Sequence, residues 1–133
     1  MLYPMTERIP AIKVLLMPKD TNPMGTIFGG VILSHLDLAS AVEARKAAPH
    51  RYVTKAMREV DFREPVFVGD IVNFFTETIR IGRTSVTVRV SVEAERWSEG
   101  SGKRVTVTQA EVVLVATDEM GRPVPVLPEP LQA

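Results

Sequence analysis

The stretch from Gly29 to Ala48 constrains this 133-residue chain more than any other. At helical spacing its Val31, Ile32, Leu33, Leu36, Leu38, Ala39, Ala41, Val42 and Ala44 cover nearly the whole circumference. A helix that is apolar all round is a buried one. Pro49 ends it, because the residue before a proline is pushed out of the α region. Beyond this point the hydrophobic period changes to two. Thr84 to Trp97 alternates most cleanly, with Val86, Val88, Val90 and Val92 on one face and Ser85, Thr87, Arg89 and Ser91 on the other.

Strands are also expected over residues 9–17, Tyr52 to Phe62, Ile71 to Ile81 and Val105 to Thr117. Turn-forming residues separate them: Pro18 to Gly25, Arg63 to Asp70, Gly82-Arg83, Glu99 to Gly102 and Asp118 to Gly121. The order is strand, helix, then at least four strands with short connections, which implies an antiparallel sheet. The helix has only that sheet to bury itself against. The simplest solution is an α+β fold in which a long, curved antiparallel sheet wraps around one central helix. Open sheet edges are a liability in a monomer, so pairing of two copies, at least a dimer, is expected.

Composition narrows the function. The length suits one domain over 1–133, with a core of about 9–127 and short tails. A chain of this size buries roughly two thirds of its unfolded surface and needs no staple. With no cysteine, disulfide scaffolds, thiolate zinc sites and a Cys nucleophile are excluded. Sixteen basic residues balance sixteen acidic ones, which gives no electrostatic footprint for nucleic acid or an anionic membrane, though a local basic patch is still allowed. The most apolar run, Ile27 to Leu33, is far below the ~18–20 residues of a membrane span. The first nine residues lack the pattern of a signal peptide. A soluble cytoplasmic protein is expected.

One residue breaks the apolar pattern. Asp37 stands in the middle of the helix, too far from its start to gain much from the helix dipole. Burying a carboxylate is costly unless something offsets it. Asp37 is therefore either a core Asp bonded to a neighbour or a catalytic group. Gly29 and Gly30 open the helix, where the first N–H groups lack internal partners and can hold an anion or a developing oxyanion. The plainer alternative is a turn capped by Thr26. Asn22 sits in an Asp-Thr-Asn loop, where local turn bonds are the usual role. His35 reads as a packed histidine and His50 as solvent-facing, and two isolated His make no metal site. Arg80, Arg83, Lys103 and Arg104 lie near two turns, either as solvated charges or as partners of a phosphate-bearing ligand.

The string Pro18-Lys-Asp-Thr-Asn-Pro-Met-Gly-Thr-Ile-Phe-Gly-Gly30, followed by Leu36-Asp37-Leu-Ala39, resembles the signature of the hotdog-fold acyl-CoA thioesterases. The YciA-like bacterial group, related to brain acyl-CoA hydrolase, is the most similar. Val60 to Asp70, Ile81 to Ser85 and Val115 to Pro123 resemble further family segments, so the likeness spans about residues 12–127. It implies hydrolysis of acyl-CoA to fatty acid and coenzyme A. Asp37 would be general base or nucleophile, Asn22 would contribute to the site, and the Gly29 and Gly30 N–H groups would form the oxyanion hole. Arg83, Thr84, Ser85 and Arg80 would face coenzyme A, which is expected as product or bound ligand, with no cofactor or metal required. Sites of the family lie between protomers, and a trimer of dimers is the expected assembly. Two alternatives share the fold. One is a non-catalytic acyl-CoA sensor. The other is a hydroxyacyl-thioester dehydratase, disfavoured because His50 follows the helix instead of preceding it.

Overall fold

A computed structural model describes residues 8–98 and 100–128. Strand β1 (Ile12–Leu15) leads through a single 3-10 turn at Pro18–Asp20 to helix α1 (Gly29–Ala47). Four strands follow: β2 (Arg51–Arg58), β3 (Ile71–Ile81), β4 (Ser85–Arg96) and β5 (Lys103–Thr117). They form one curled antiparallel sheet in the order β1-β3-β4-β5-β2, with the helix against it. The α+β expectation holds.

The alternation in β4 explains the core. Val86, Val88, Val90 and Val92 are all fully buried, and so are Val112 and Leu114 of β5, which share their face. Phe74 of β3 and Ile32, Leu36, Ala39 and Ala44 of α1 complete the layer between sheet and helix. Ala48 ends the helix in an extended conformation, as Pro49 requires. The β3–β4 connection closes with the Gly82 N–H donating to the Ser85 carbonyl at 2.7 Å. In the tail, Asp118 Oδ1 accepts from the backbone of Met120 and Arg122, which makes the expected turn. Residues 1–7 and Glu99 of the β4–β5 loop lie outside the described residues.

Three expectations are corrected. The helix is not buried all round: Leu38 is 58% exposed and Val42 40%, because a one-sheet layer covers only one side of a cylinder. The second strand stops at Arg58 instead of Phe62, since Glu59 takes a left-handed backbone (φ 58°) that turns the chain out of the ladder. It still follows the sheet: Thr108 Oγ1 donates to the Asp61 carbonyl at 2.7 Å, and the Arg63 N–H to the Val107 carbonyl at 2.8 Å. The first strand is shorter than residues 9–17 and pairs only with Ile71–Phe74 of β3.

Candidate active site

Asp37 is half-buried on the flank of α1 that faces the edge strand β2. Its Oδ1 accepts a hydrogen bond of 2.5 Å from Thr54 Oγ1, and its backbone carbonyl accepts one from Ser40 Oγ at 2.6 Å. Thr54 adjoins a break in the β2–β5 register between Thr54 and Ala56, where the strand carries an extra residue. A carboxylate oriented by a hydroxyl, beside an unpaired sheet edge, is accessible to a second molecule. No spacing rule connects positions 37 and 54, so nothing in the amino-acid order singles out Thr54.

The helix start is open. Thr26 does not cap it. Its hydroxyl accepts instead from Asn22 Nδ2 at 2.8 Å, and Phe28 occupies the cap position with no side-chain cap bond. The N–H groups of Gly29 and Gly30 therefore stand at a helix N-terminus that receives no side-chain hydrogen bond from the cap residue. At Gly30 a Cβ would lie 2.5 Å from Phe28 Cε1, so the exposed Phe28 ring would have to swing aside. At Gly29 the nearest atom would be Phe62 Cζ at 3.7 Å, an ordinary contact. Beside Gly29 opens a cleft of about 270 Å³ whose apolar lining is Ile27, Ile32, Phe62, Pro65 and Val66.

Asn22 builds the loop before the helix. Its Oδ1 accepts from the Met24 N–H at 2.8 Å and the Thr26 N–H at 3.3 Å, and its own N–H donates to the Thr26 carbonyl at 2.8 Å. The local turn role is thus filled, with one amide hydrogen of Nδ2 left over by count.

The remaining candidates lie elsewhere. The Arg83 and Thr84 carbonyls accept from Val126 and Ala116, and Arg51, just after the helix C-terminus, pairs with Thr117. The Gly82–Thr84 turn therefore stands at the C-terminal end of α1, a 19-residue helix about 28 Å long. One chain does not bring Arg80, Arg83, Thr84 and Ser85 to Gly29 and Gly30. Nor does it bring Asp37 there: seven or eight residues of helical rise separate them by about 11 Å. His35 is packed as expected, Nδ1 lying 2.9 Å from the Val31 carbonyl and its ring against Phe74. His50 is a correction: it is half-buried, with Nε2 2.7 Å from the Val126 carbonyl, because the proline-rich tail folds back over it. Among the described residues, no group of three or more His, Cys, Asp or Glu could hold a metal ion, and no helix is long and apolar enough to cross a membrane.

Known proteins share this architecture. The thioesterase superfamily matches residues 24–101. The acyl-CoA thioester hydrolase YciA of Escherichia coli is 37% identical over 113 residues, which is 84% of this chain and 86% of that protein. A hexameric hotdog-fold thioesterase of Campylobacter jejuni superposes with a TM-score of 0.84 at 44% identity, covering 89% of this chain and 90% of that one. A hexameric broad-specificity acyl-coenzyme A thioesterase, in an aspartate-to-alanine mutant form, gives 0.86 at 35% identity over 92% and 89% of the two chains.

Proposed function

This chain belongs to the thioesterase superfamily, among the hotdog-fold acyl-CoA thioester hydrolases, and from that premise we propose that it hydrolyses acyl-CoA to a fatty acid and free coenzyme A at a site shared by two protomers. The observation that carries the reading is the pairing of a hydroxyl-oriented carboxylate, Asp37, with an uncapped helix start at Gly29-Gly30.

The two halves do different work. In the hydrolysis, the Gly29 and Gly30 N–H groups of one protomer bind the thioester oxygen as negative charge develops on it. Asp37 of the other protomer either takes a proton from the attacking water, whose oxygen displaces the coenzyme A sulfur, or attacks the carbonyl carbon itself, displacing that sulfur to leave an anhydride that water then cleaves. Sharing follows from reach. A reacting carbonyl needs its oxygen donors and its base each about 3 Å away, and about 11 Å of helix separates them within one chain. The free edge of β2, beside Asp37, offers the pairing surface, and exposed Phe28, Leu38, Val53 and Phe62 offer apolar contact area. The spare amide hydrogen of Asn22 serves the same site, reaching from the loop that supports the helix start.

Arg80, Arg83, Thr84 and Ser85 are assigned to coenzyme A, delivered by a protomer other than the one giving the oxyanion donors. A guanidinium suits phosphate recognition. Hexameric assembly, as in the Campylobacter jejuni thioesterase, supports a trimer of dimers. No cofactor or metal enters the proposed chemistry, and the cysteine-free composition fits a cytoplasmic location.

Release of free thiol from acyl-CoAs of several chain lengths tests the reading. Turnover supports it. Tight binding without thiol release would favour a sensor instead. Light scattering at micromolar concentration tests the sharing, which a monomer would contradict.

A further inference from the structure

Residues 59–70 contain no helix or strand, yet a buried ion pair fixes their second half. Asp70 is fully buried and Arg96, the last residue of β4, nearly so. Arg96 Nη2 donates to Asp70 Oδ2 at 3.2 Å and to the Pro65 carbonyl at 2.8 Å. The guanidinium carbon also stands 4.6 Å from the centre of the Phe67 ring. Asp70 Oδ2 accepts in addition from the Phe67 N–H at 3.0 Å. The pair is thus hydrogen-bonded to the chain on both sides of Val66.

Two strings of bonds lead from there to the helix start. The Val66 carbonyl accepts from the Ile27 N–H at 2.8 Å, two residues before Gly29. On the other side, the Leu16 N–H donates to the Asp70 carbonyl at 3.1 Å, and the Gly69 N–H to the Leu16 carbonyl at 2.9 Å. Met17 next bonds Asp20 Oδ2, and the Asp20 carbonyl accepts from the Phe28 N–H at 2.9 Å. Ile27 and Phe28, which carry the chain into Gly29 and Gly30, are tied by both strings to the same ion pair.

As a stabilising device the pair is poor. Among the described residues it makes one contact of ordinary length and leaves Asp70 Oδ1 and Arg96 Nε without hydrogen-bond partners. Buried ion pairs of this kind are often replaced by apolar residues with no loss of stability. What an apolar pair cannot do is hold the Pro65 carbonyl and the Phe67 amide in place. We infer that Asp70 and Arg96 are positioning residues that set the location of the Gly29 and Gly30 N–H donors through the 65–70 loop. The inference rests on the oxyanion role proposed for those two donors.

The test is the double substitution Asp70→Leu with Arg96→Met, beside the single Asp70→Asn, measured against the parent. For each, the thermal midpoint and oligomeric state establish folding, thiol release gives kcat and KM, and hydrogen exchange is followed on peptides covering residues 27–33. The double variant is expected to fold with a midpoint near the parent's. Its kcat should fall about 10- to 100-fold, the scale of a misplaced catalytic group. KM should change little, and exchange at 27–33 should quicken while β4 stays protected. Asp70→Asn, which keeps both acceptor oxygen and shape, should lose less. If the double variant does not fold, Asp70→Asn alone must show the same split in smaller measure. A folded variant with kcat within twofold of the parent, or with unchanged exchange at 27–33, overturns the inference. An inactive parent overturns the functional reading, and the inference falls with it.

Discussion

Thr54→Val is the sharpest probe of how Asp37 is held. The hydroxyl removed donates to a carboxylate oxygen at 2.5 Å, so it is a hydrogen bond to a charged acceptor. Such bonds contribute about 1.5–3 kcal/mol. Asp37 gives up charge as it reacts, so the bond acts on the rate through the orientation of the carboxylate, and a misplaced group costs up to about 100-fold in kcat. The fold should hardly notice. Thr54 is exposed, valine keeps the β-branched shape, and the backbone pairing with Leu114 stays. Water can take the place of the lost donor at this exposed position, so stability should fall by about 1 kcal/mol or less, short of the bond's full contribution. The assay is thiol release at saturating acyl-CoA, with the thermal midpoint measured on the same preparation. Thr54→Ser should recover most of the rate, because it restores the donor. A Thr54→Val enzyme that keeps its midpoint and turns over within twofold of the parent would refute the claim that this hydroxyl orients Asp37.

Other consequences follow from the same structure. Gly30→Ala should lower kcat modestly below that of Gly29→Ala, because only the former must push the exposed Phe28 ring aside; equal rates for the two variants would count against the helix-start assignment. Leu36→Ala, at a fully buried position, should destabilise the protein by about 2–5 kcal/mol, read from denaturant unfolding. Burial alone would push the Glu95 carboxyl up, but the Asn73 amide and the Lys13 ammonium, with Arg104 adding to the field, together hold it below its ordinary value of 4.5. A carboxyl whose folded-state pKa is depressed contributes stability above its unfolded value and loses it as pH falls through the folded one. The stability gap between the parent and Glu95→Gln should thus be full near neutral pH and shrink below about pH 4.5; a gap that does not change with pH would contradict this.

Much of the fold could be read from single residues. Pro49 ended the helix one residue beyond its cap, and the valines of β4 named the core face, because both signals are local and steric. The limits of Ile71–Ile81 were fixed by Gly69-Asp70 and Gly82 at its ends. What stayed hidden depends on contacts between distant positions. Thr54 meets Asp37 across 17 residues, and Arg96 meets Asp70 across 26. Neither pair has a periodic signature. The apolar circumference of α1 correctly placed the helix against the sheet, but it overstated burial, since an apolar side chain facing outward reads the same as one facing in. Asp37, Gly29 and Gly30 stood out as candidates because each violates its surroundings: a charge in an apolar helix, and paired glycines at a helix start. The sequence could not show that Asp37 lies beside the β2 edge, where a partner can reach it.

The central claim is that Asp37 carries the chemistry. Thiol release from acyl-CoA should be compared for the parent and Asp37→Ala, with folding and oligomeric state matched. General-base participation contributes about 10²–10⁴-fold, so the variant should lose at least about 100-fold in kcat while still binding acyl-CoA. Equal turnover by a folded, assembled Asp37→Ala protein would contradict the account.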